Sequence, residues 1–215
     1  MRPTDKLRAA CIADWQQATE HDFCKELATG TLSLDKMRTY LVQDYTFIDN
    51  FTRLAASAIY HAPTLADRLP LARFLGVIAG PENTYFQRSF DALNVPEHQQ
   101  NNPVLLKPTQ DFQDLMLEAA ASGSYANMIA VLCVAEWVYL SWASPVADYD
   151  SELPFYFAQW IDLHCGDYFA SVIEHLRSQL DSAYVLLDED QQRETENYFA
   201  RAVKLEKQFF DACYE

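Results

Sequence analysis

Met128 to Ala143 reads MIAVLCVAEWVYLSWA, with one charged residue, Glu136, in an otherwise almost wholly apolar run. The stretch has helical length and no Gly or Pro. It is shorter than the about 20 apolar residues that a membrane span needs. A helix that is apolar all round belongs in a protein core. A carboxylate there must find a partner or keep its proton, because burying an unpaired charge is costly and its pKa shifts instead. Glu136 is therefore expected at the centre of a buried site, and the question is which other residues meet it.

The surrounding chain reads as helices. Leu7, Ala10, Cys11, Asp14, Trp15 and Ala18 keep helical spacing over 4–20, and a short helical piece from His21 stops at Gly30. Ser33 is placed to cap a long helix from Leu34 to His61, whose apolar face runs Met37, Leu41, Ile48, Phe51, Ala55 and Ala58. Asp44 lies on that same face, seven residues after Met37 and four before Ile48. Pro63 and Thr64 lead into a helix over 65–77. Gly80-Pro81 reads as a break, with a new segment from Pro81-Glu82 to Leu93. A polar, Pro-bounded connection covers 94–108, a helix follows over 109–122, and the central helix spans 124–143.

Pro145 to Pro154 reads as a loop, with Ser151 placed to cap a helix running to Asp181. The apolar face of that helix holds Phe157, Trp160, Ile161, Tyr168, Phe169, Val172 and Leu176, and His164 falls on it; Gly166 marks a kink. Asp188 caps the last helix, Glu189 to Cys213. Its apolar face (Phe199, Ala202, Val203, Phe209, Phe210) includes Glu206. No strand-like alternation, repeat or linker interrupts the series, so one all-α domain over 1–215 is expected.

Composition narrows the partners. A net charge of −15 argues against nucleic acid and anionic membrane surfaces, which attract basic patches. Cys11, Cys24, Cys133, Cys165 and Cys213 are odd in number and form no Cys-x-x-Cys pair, which reads as reduced thiols in a cytoplasmic protein. The N-terminal stretch carries acids early and no long apolar run, so it is not expected to act as a signal or transit peptide.

Three helices thus each place one acid inside an apolar stripe: Asp44, Glu136 and Glu206. A further helix contributes His164. A single inward acid is often a satisfied structural group, but polar side chains on facing helices are how bundles build sites. A di-iron centre would need Glu-x-x-His motifs. The pairs Glu20-His21, Glu97-His98 and Glu174-His175 have the wrong spacing, so no metal is expected. Acid/base chemistry on a small flat ligand fits better, since buried carboxylates carry protons near neutral pH. Tyr45, Phe47, Phe51, Trp137, Tyr139, Trp160 and Tyr168 are candidate walls for a heterocycle, though most such aromatics are ordinary core.

The stretch HDFCKELATGTLSLDKMRTYLVQDYTFIDNF, from His21 to Phe51, resembles the N-terminal signature of the thiaminase II (TenA) family. The segments EWVYLSWA, WIDLHCGDYF and LEKQFFDACY are similar to that family too, and the resemblance runs from about Trp15 to Tyr214. It implies the haem-oxygenase-like all-α fold without haem or another cofactor, usually as a homo-oligomer (dimer or tetramer). It also implies hydrolysis of aminopyrimidine breakdown products of thiamin to hydroxymethylpyrimidine. By matching motifs, Asp44 would grip the ligand's amino group and ring nitrogen, Glu206 would exchange a proton with the ring, and Tyr139 would line the pocket.

The sequence departs from the better-known members. Their nucleophilic cysteine falls at Ala135 here, and Glu136 stands beside it, as in the branch that lacks the cysteine. Phe47 and His164 replace tyrosines. These departures weigh against thiamin cleavage and favour an aminomethyl- or formylaminomethyl-pyrimidine. Cys133 is about 60° from Glu136 around the helix and is the substitute thiol to consider. A non-catalytic pyrimidine-binding protein and a metal-dependent oxidase on the same fold are the rival readings.

Overall fold

Every regular element of the computed structural model, which describes all 215 residues, is helical. In chain order they are α1 (Pro3–Ala10), α2 (Ile12–Thr19), α3 (Asp22–Thr29), α4 (Leu34–His61), α5 (Leu65–Val77), a π-helical turn (Ile78–Glu82), α6 (Asn83–Leu93), α7 (Glu97–Asn101), α8 (Lys107–Ala121), α9 (Tyr125–Ala143), a 3-10 turn (Ser144–Val146), α10 (Phe155–Leu163), α11 (Gly166–Tyr184) and α12 (Glu189–Tyr214).

Capping chemistry sets the long helices. The Ser33 side chain accepts the Lys36 N–H to open α4, and Ser124 accepts from Asn127 to open α9. Thr64 with Asp67, and Asp188 with Gln191, form reciprocal capping boxes at α5 and α12. Gly30 ends α3 in the left-handed region (φ 72°), where a side chain would also press on Leu153.

Several boundaries differ from the sequence reading. The expected first helix is two, broken at Cys11 (φ −111°) with neither Gly nor Pro to announce it. α8 begins two residues earlier than expected because Pro108 fits its first turn, where the missing N–H costs nothing. Ser151 caps nothing. The helix begins at Phe155 and splits at His164–Cys165, where Gly166 (φ 78°) redirects the chain into α11. Tyr168 consequently points outward, 50% exposed. The Gly80-Pro81 pair does not stop the chain either. Pro81 cannot supply an α-helical N–H, and the backbone widens so that the Asn83 N–H reaches the carbonyl of Ile78, five residues back. α5 therefore runs through the π turn into α6, and Glu82 sits on the last residue of that turn.

The helices bury one continuous hydrophobic cluster of 55 residues. α9 is its axis, packed by α12, α11, α4, α8 and α2. The helical stretch Tyr125–Val146 has 22 residues, and its most apolar 18-residue window has a mean hydropathy of 1.5, which is long and apolar enough to cross a membrane, contrary to the sequence reading. Here 67% of its most apolar window is covered by the other helices, so its apolar surface is used in the core.

Candidate functional site

α4, the π turn, α9, α10 and α12 converge on a cavity with about 510 Å³ of atom-free space, its open mouth included. Four carboxyl side chains line it: Asp44 from α4, Glu82 from the π turn, Glu136 from α9 and Glu206 from α12. No lysine or arginine does. Phe47, Ile48 and Phe51 from α4, Ile78, Phe112 and Phe209 supply apolar walls, and Ala135, Tyr139, Trp160 and His164 complete the lining.

Asp44 and Glu206 are only 9% and 2% exposed, yet neither accepts a hydrogen bond from the protein. Glu82 and Glu136 are half-buried and also lack protein hydrogen-bond partners. Burial pushes the Asp44 carboxyl well above its usual range, and Glu82 pushes in the same direction. Burial does the same to Glu136, reinforced by Glu82 and Asp44, and to Glu206, reinforced by Asp44 and Glu136. Glu82 is raised to about 7 by burial. The cavity therefore holds acids that keep protons near neutral pH and can exchange them with a ligand.

The neutral polar groups have fixed roles. Trp160 Nε1–H donates to Tyr40 Oη at 3.0 Å, and Tyr40 Oη lies 2.7 Å from Tyr139 Oη. Tyr40 is fully buried, so its proton has only Tyr139 as acceptor; leaving it unpaired would cost about 1–3 kcal/mol. Tyr40 therefore donates to Tyr139, and the Tyr139 proton is free for the cavity. The ring of His164 stands 2.8 Å from the Trp160 carbonyl, through Nδ1. A carbonyl only accepts, so Nδ1 carries the proton and Nε2 is left as an acceptor. Burial lowers the His164 pKa to about 4, so the ring is neutral at pH 7.

The sequence reading named eight site residues, and the structure brings six to this cavity: Asp44, Phe47, Glu136, Tyr139, His164 and Glu206. Cys133 and Trp137 do not line it. Cys133 is fully buried on the side of α9 toward Arg177 and Asp181, and burial raises its thiol pKa far from the reactive range. Trp137 meets Trp15 edge-on at 4.9 Å and carries the guanidinium groups of Arg8 and Arg177 over its ring at 4.7 and 4.1 Å. Among the other candidate aromatics, Tyr45 packs on Phe86 and Phe90 instead. Glu82 was missed, because Gly80-Pro81 reads as a helix end and puts Glu82 at the start of a new segment, away from any apolar stripe. No three His, Cys, Asp or Glu side chains gather in metal-binding geometry.

Residues 9–215 match the model of the TENA/THI-4/PQQC family. The chain belongs to that family. Its relatives include the aminopyrimidine aminohydrolase of Bacillus subtilis (strain 168), 21% identical over 214 residues and covering 100% of this chain and 90% of that protein. The aminopyrimidine aminohydrolase of Helicobacter pylori is 21% identical over 202 residues, 94% of this chain and 93% of that one. Among solved structures, a TenA homologue from Pyrococcus furiosus superposes with a TM-score of 0.86 at 22% identity, covering 98% and 99% of the two chains. A TenA family transcription regulator from Silicibacter sp. TM1040 gives 0.87 at 21% identity, covering 98% and 96%. The fold is the haem-oxygenase-like helical bundle of these TenA proteins.

Proposed function

We propose that the protein is an aminopyrimidine aminohydrolase of thiamin salvage. It converts 4-amino-5-aminomethyl-2-methylpyrimidine, or its N-formyl derivative, to hydroxymethylpyrimidine with carboxylates in place of a thiol. The observation that carries this reading is the cavity itself: Asp44, Glu136 and Glu206 line it together, Ala135 occupies the wall where the family resemblance puts a cysteine, and no thiol lines it. The names of the Bacillus subtilis and Helicobacter pylori relatives support the same class of reaction.

In this reading the apolar walls hold the flat ring, and Asp44 orients it through a charge-assisted hydrogen bond to the ring's amino group and nitrogen. Glu206 exchanges a proton with a ring nitrogen, which helps the exocyclic substituent leave. The C–N bond at the ring methylene breaks, and its electron pair goes to the departing nitrogen. A water oxygen bonds to the methylene carbon. Glu136 takes the water's proton or passes its own to the leaving amine. The products are the hydroxymethylpyrimidine and ammonia, or formamide from the N-formyl substrate.

The test is a turnover assay of purified, metal-free protein with the aminomethyl pyrimidine, its N-formyl derivative and thiamin, scored for hydroxymethylpyrimidine. Turnover of the first two with thiamin nearly intact is expected. Glu136→Gln should lower kcat by about 10²–10⁴ if the residue transfers a proton. An unchanged kcat removes Glu136 from the mechanism. Tight binding without turnover of any pyrimidine would replace hydrolysis with a binding role.

A further inference from the structure

Glu82 takes no part in the proposed hydrolysis, yet the backbone is built to deliver it. The π turn places its carboxyl in the cavity instead of on an outer helix face. The residues around it are pinned. Asn83 Oδ1 accepts the Tyr45 hydroxyl at 3.2 Å, and Tyr85 stacks on Trp160 at 5.0 Å while donating to the Tyr156 carbonyl at 2.6 Å. The side chain itself accepts nothing from the protein. π-helical turns recur where a chain displaces a side chain for function.

Helix packing relates Glu82 to the ring. α4, which carries Asp44, packs against α5 and α6 at the two ends of the π turn and also against α12, which carries Glu206, whereas α12 has no comparable packing against α5, α6 or the π turn; α9, which carries Glu136, packs on both α4 and α12. Glu82 and Glu206 therefore reach the cavity from different neighbours of α4, with Asp44 on α4 itself and Glu136 on α9. A ring held by Asp44 and Glu206 leaves Glu136 and Glu82 as the lining acids available to its exocyclic substituent. Asp44 and Glu206 are more than nine-tenths buried and unpartnered, so the cavity is built to receive a ligand's polar groups. With four acids and no lysine or arginine lining it, that ligand is best a cation.

Building on the hydrolase reading, we propose that Glu82 binds the substituent that leaves the pyrimidine and selects a primary ammonium over an acylated, uncharged nitrogen. The aminomethyl pyrimidine is then the preferred substrate and the N-formyl derivative the poorer one, because the formamide has no charge to offer Glu82.

The experiment compares kcat and KM for the two pyrimidines in the wild-type protein, Glu82→Gln and Glu82→Asp, with the melting temperature of each variant recorded. In the wild type, kcat/KM for the amine should exceed that for the formamide by at least about tenfold. Glu82→Gln should lower it for the amine by about 10–100-fold, mainly through KM, and for the formamide by less than about threefold; a charge-assisted hydrogen bond has that scale. Glu82→Asp should recover part of the amine preference. Equal losses on both substrates, or no loss on the amine, would overturn the proposal. If the wild type hydrolyses neither, the hydrolase reading fails separately, and the same two compounds are compared by calorimetry. Amine-selective binding lost in Glu82→Gln would keep the role of Glu82, and equal affinities in both proteins would end it.

Discussion

The two sides of α9 treat charge in opposite ways. Toward α4 and the π turn, Glu136 joins three other acids that have no ion-pair partner, and burial drives their pKa values up. Toward α1 and α11, acids are met by arginines. Arg2 holds Glu174 at 2.8 Å and Asp181 at 2.5 Å, and Arg177 holds Asp5 at 2.6 Å. Hydrogen bonds from Arg2 pull the Glu174 pKa below its usual range. Trp137, one residue after Glu136, lies beneath Arg8 and Arg177 on this second side. One helix thus separates a face whose charges are settled within the fold from a face whose charges await a ligand. Scaffold ion pairs stabilise locally; uncompensated acids destabilise the empty protein and hold free energy that binding can release.

This contrast can be broken by substitution on either side. The largest effect after that of Glu136→Gln belongs to Asp44. Asp44→Asn should reduce kcat/KM for the aminomethyl pyrimidine by about 10–100-fold, with KM and kcat both affected, as expected for a charge-assisted contact. Steady-state kinetics decides it, and a change below about twofold would place Asp44 outside the binding machinery. On the other face, Arg177→Met removes the partner of Asp5 and one cation over Trp137. It should cost about 1–3 kcal/mol, seen as a drop of about 2–4 °C in Tm per kcal/mol, while kcat of the folded enzyme stays unchanged.

Glu206→Gln sharpens the comparison through pH. A carboxyl whose folded pKa is raised favours the folded state while protonated, below its unfolded pKa of about 4.3, and that contribution is lost as pH rises through the folded value. Gln cannot ionise. The variant should therefore melt higher than the wild type at pH 8, by about 2–4 °C for each kcal/mol relieved, and level with it at pH 4. Turnover should fall in the same variant. Thermal melts across that range would refute the idea if the difference were independent of pH. The smallest effect is expected at Cys133, on the settled side of the helix. Cys133→Ala should leave kcat and KM within about twofold, and a large kinetic loss would bring the thiol back into the chemistry.

The sequence made the long elements legible where local signals agreed. α4 begins at Leu34 and ends at His61 as read, because Ser33, an amphipathic stripe and Pro63 mark the same limits. Asp44 and Glu206 were recoverable as acids inside apolar stripes. Cys133 shows where helical phase runs out. It fixes the angle from Glu136, and only packing decides that the cavity edge falls between them. The Cys11 break and the helix start at Phe155 carry no strong stop or cap residue, so tertiary packing sets them. Gly166 carried its signal and was read as a bend, whereas its φ of 78° separates two helices. Glu82 was hidden by a rule that usually holds: Gly-Pro ends helices, and here the chain absorbs the proline by widening one turn.

That widened turn makes the acid set of the cavity a matter of residue count as well as residue identity. Removing one residue from Ile78–Glu82 would let the segment close as an ordinary α-helix and rotate α6 by about 100° relative to α5. Glu82 would leave the cavity without being mutated. Among proteins sharing this bundle, a single-codon deletion or insertion at this turn is a route to a different ligand preference that no substitution table would register.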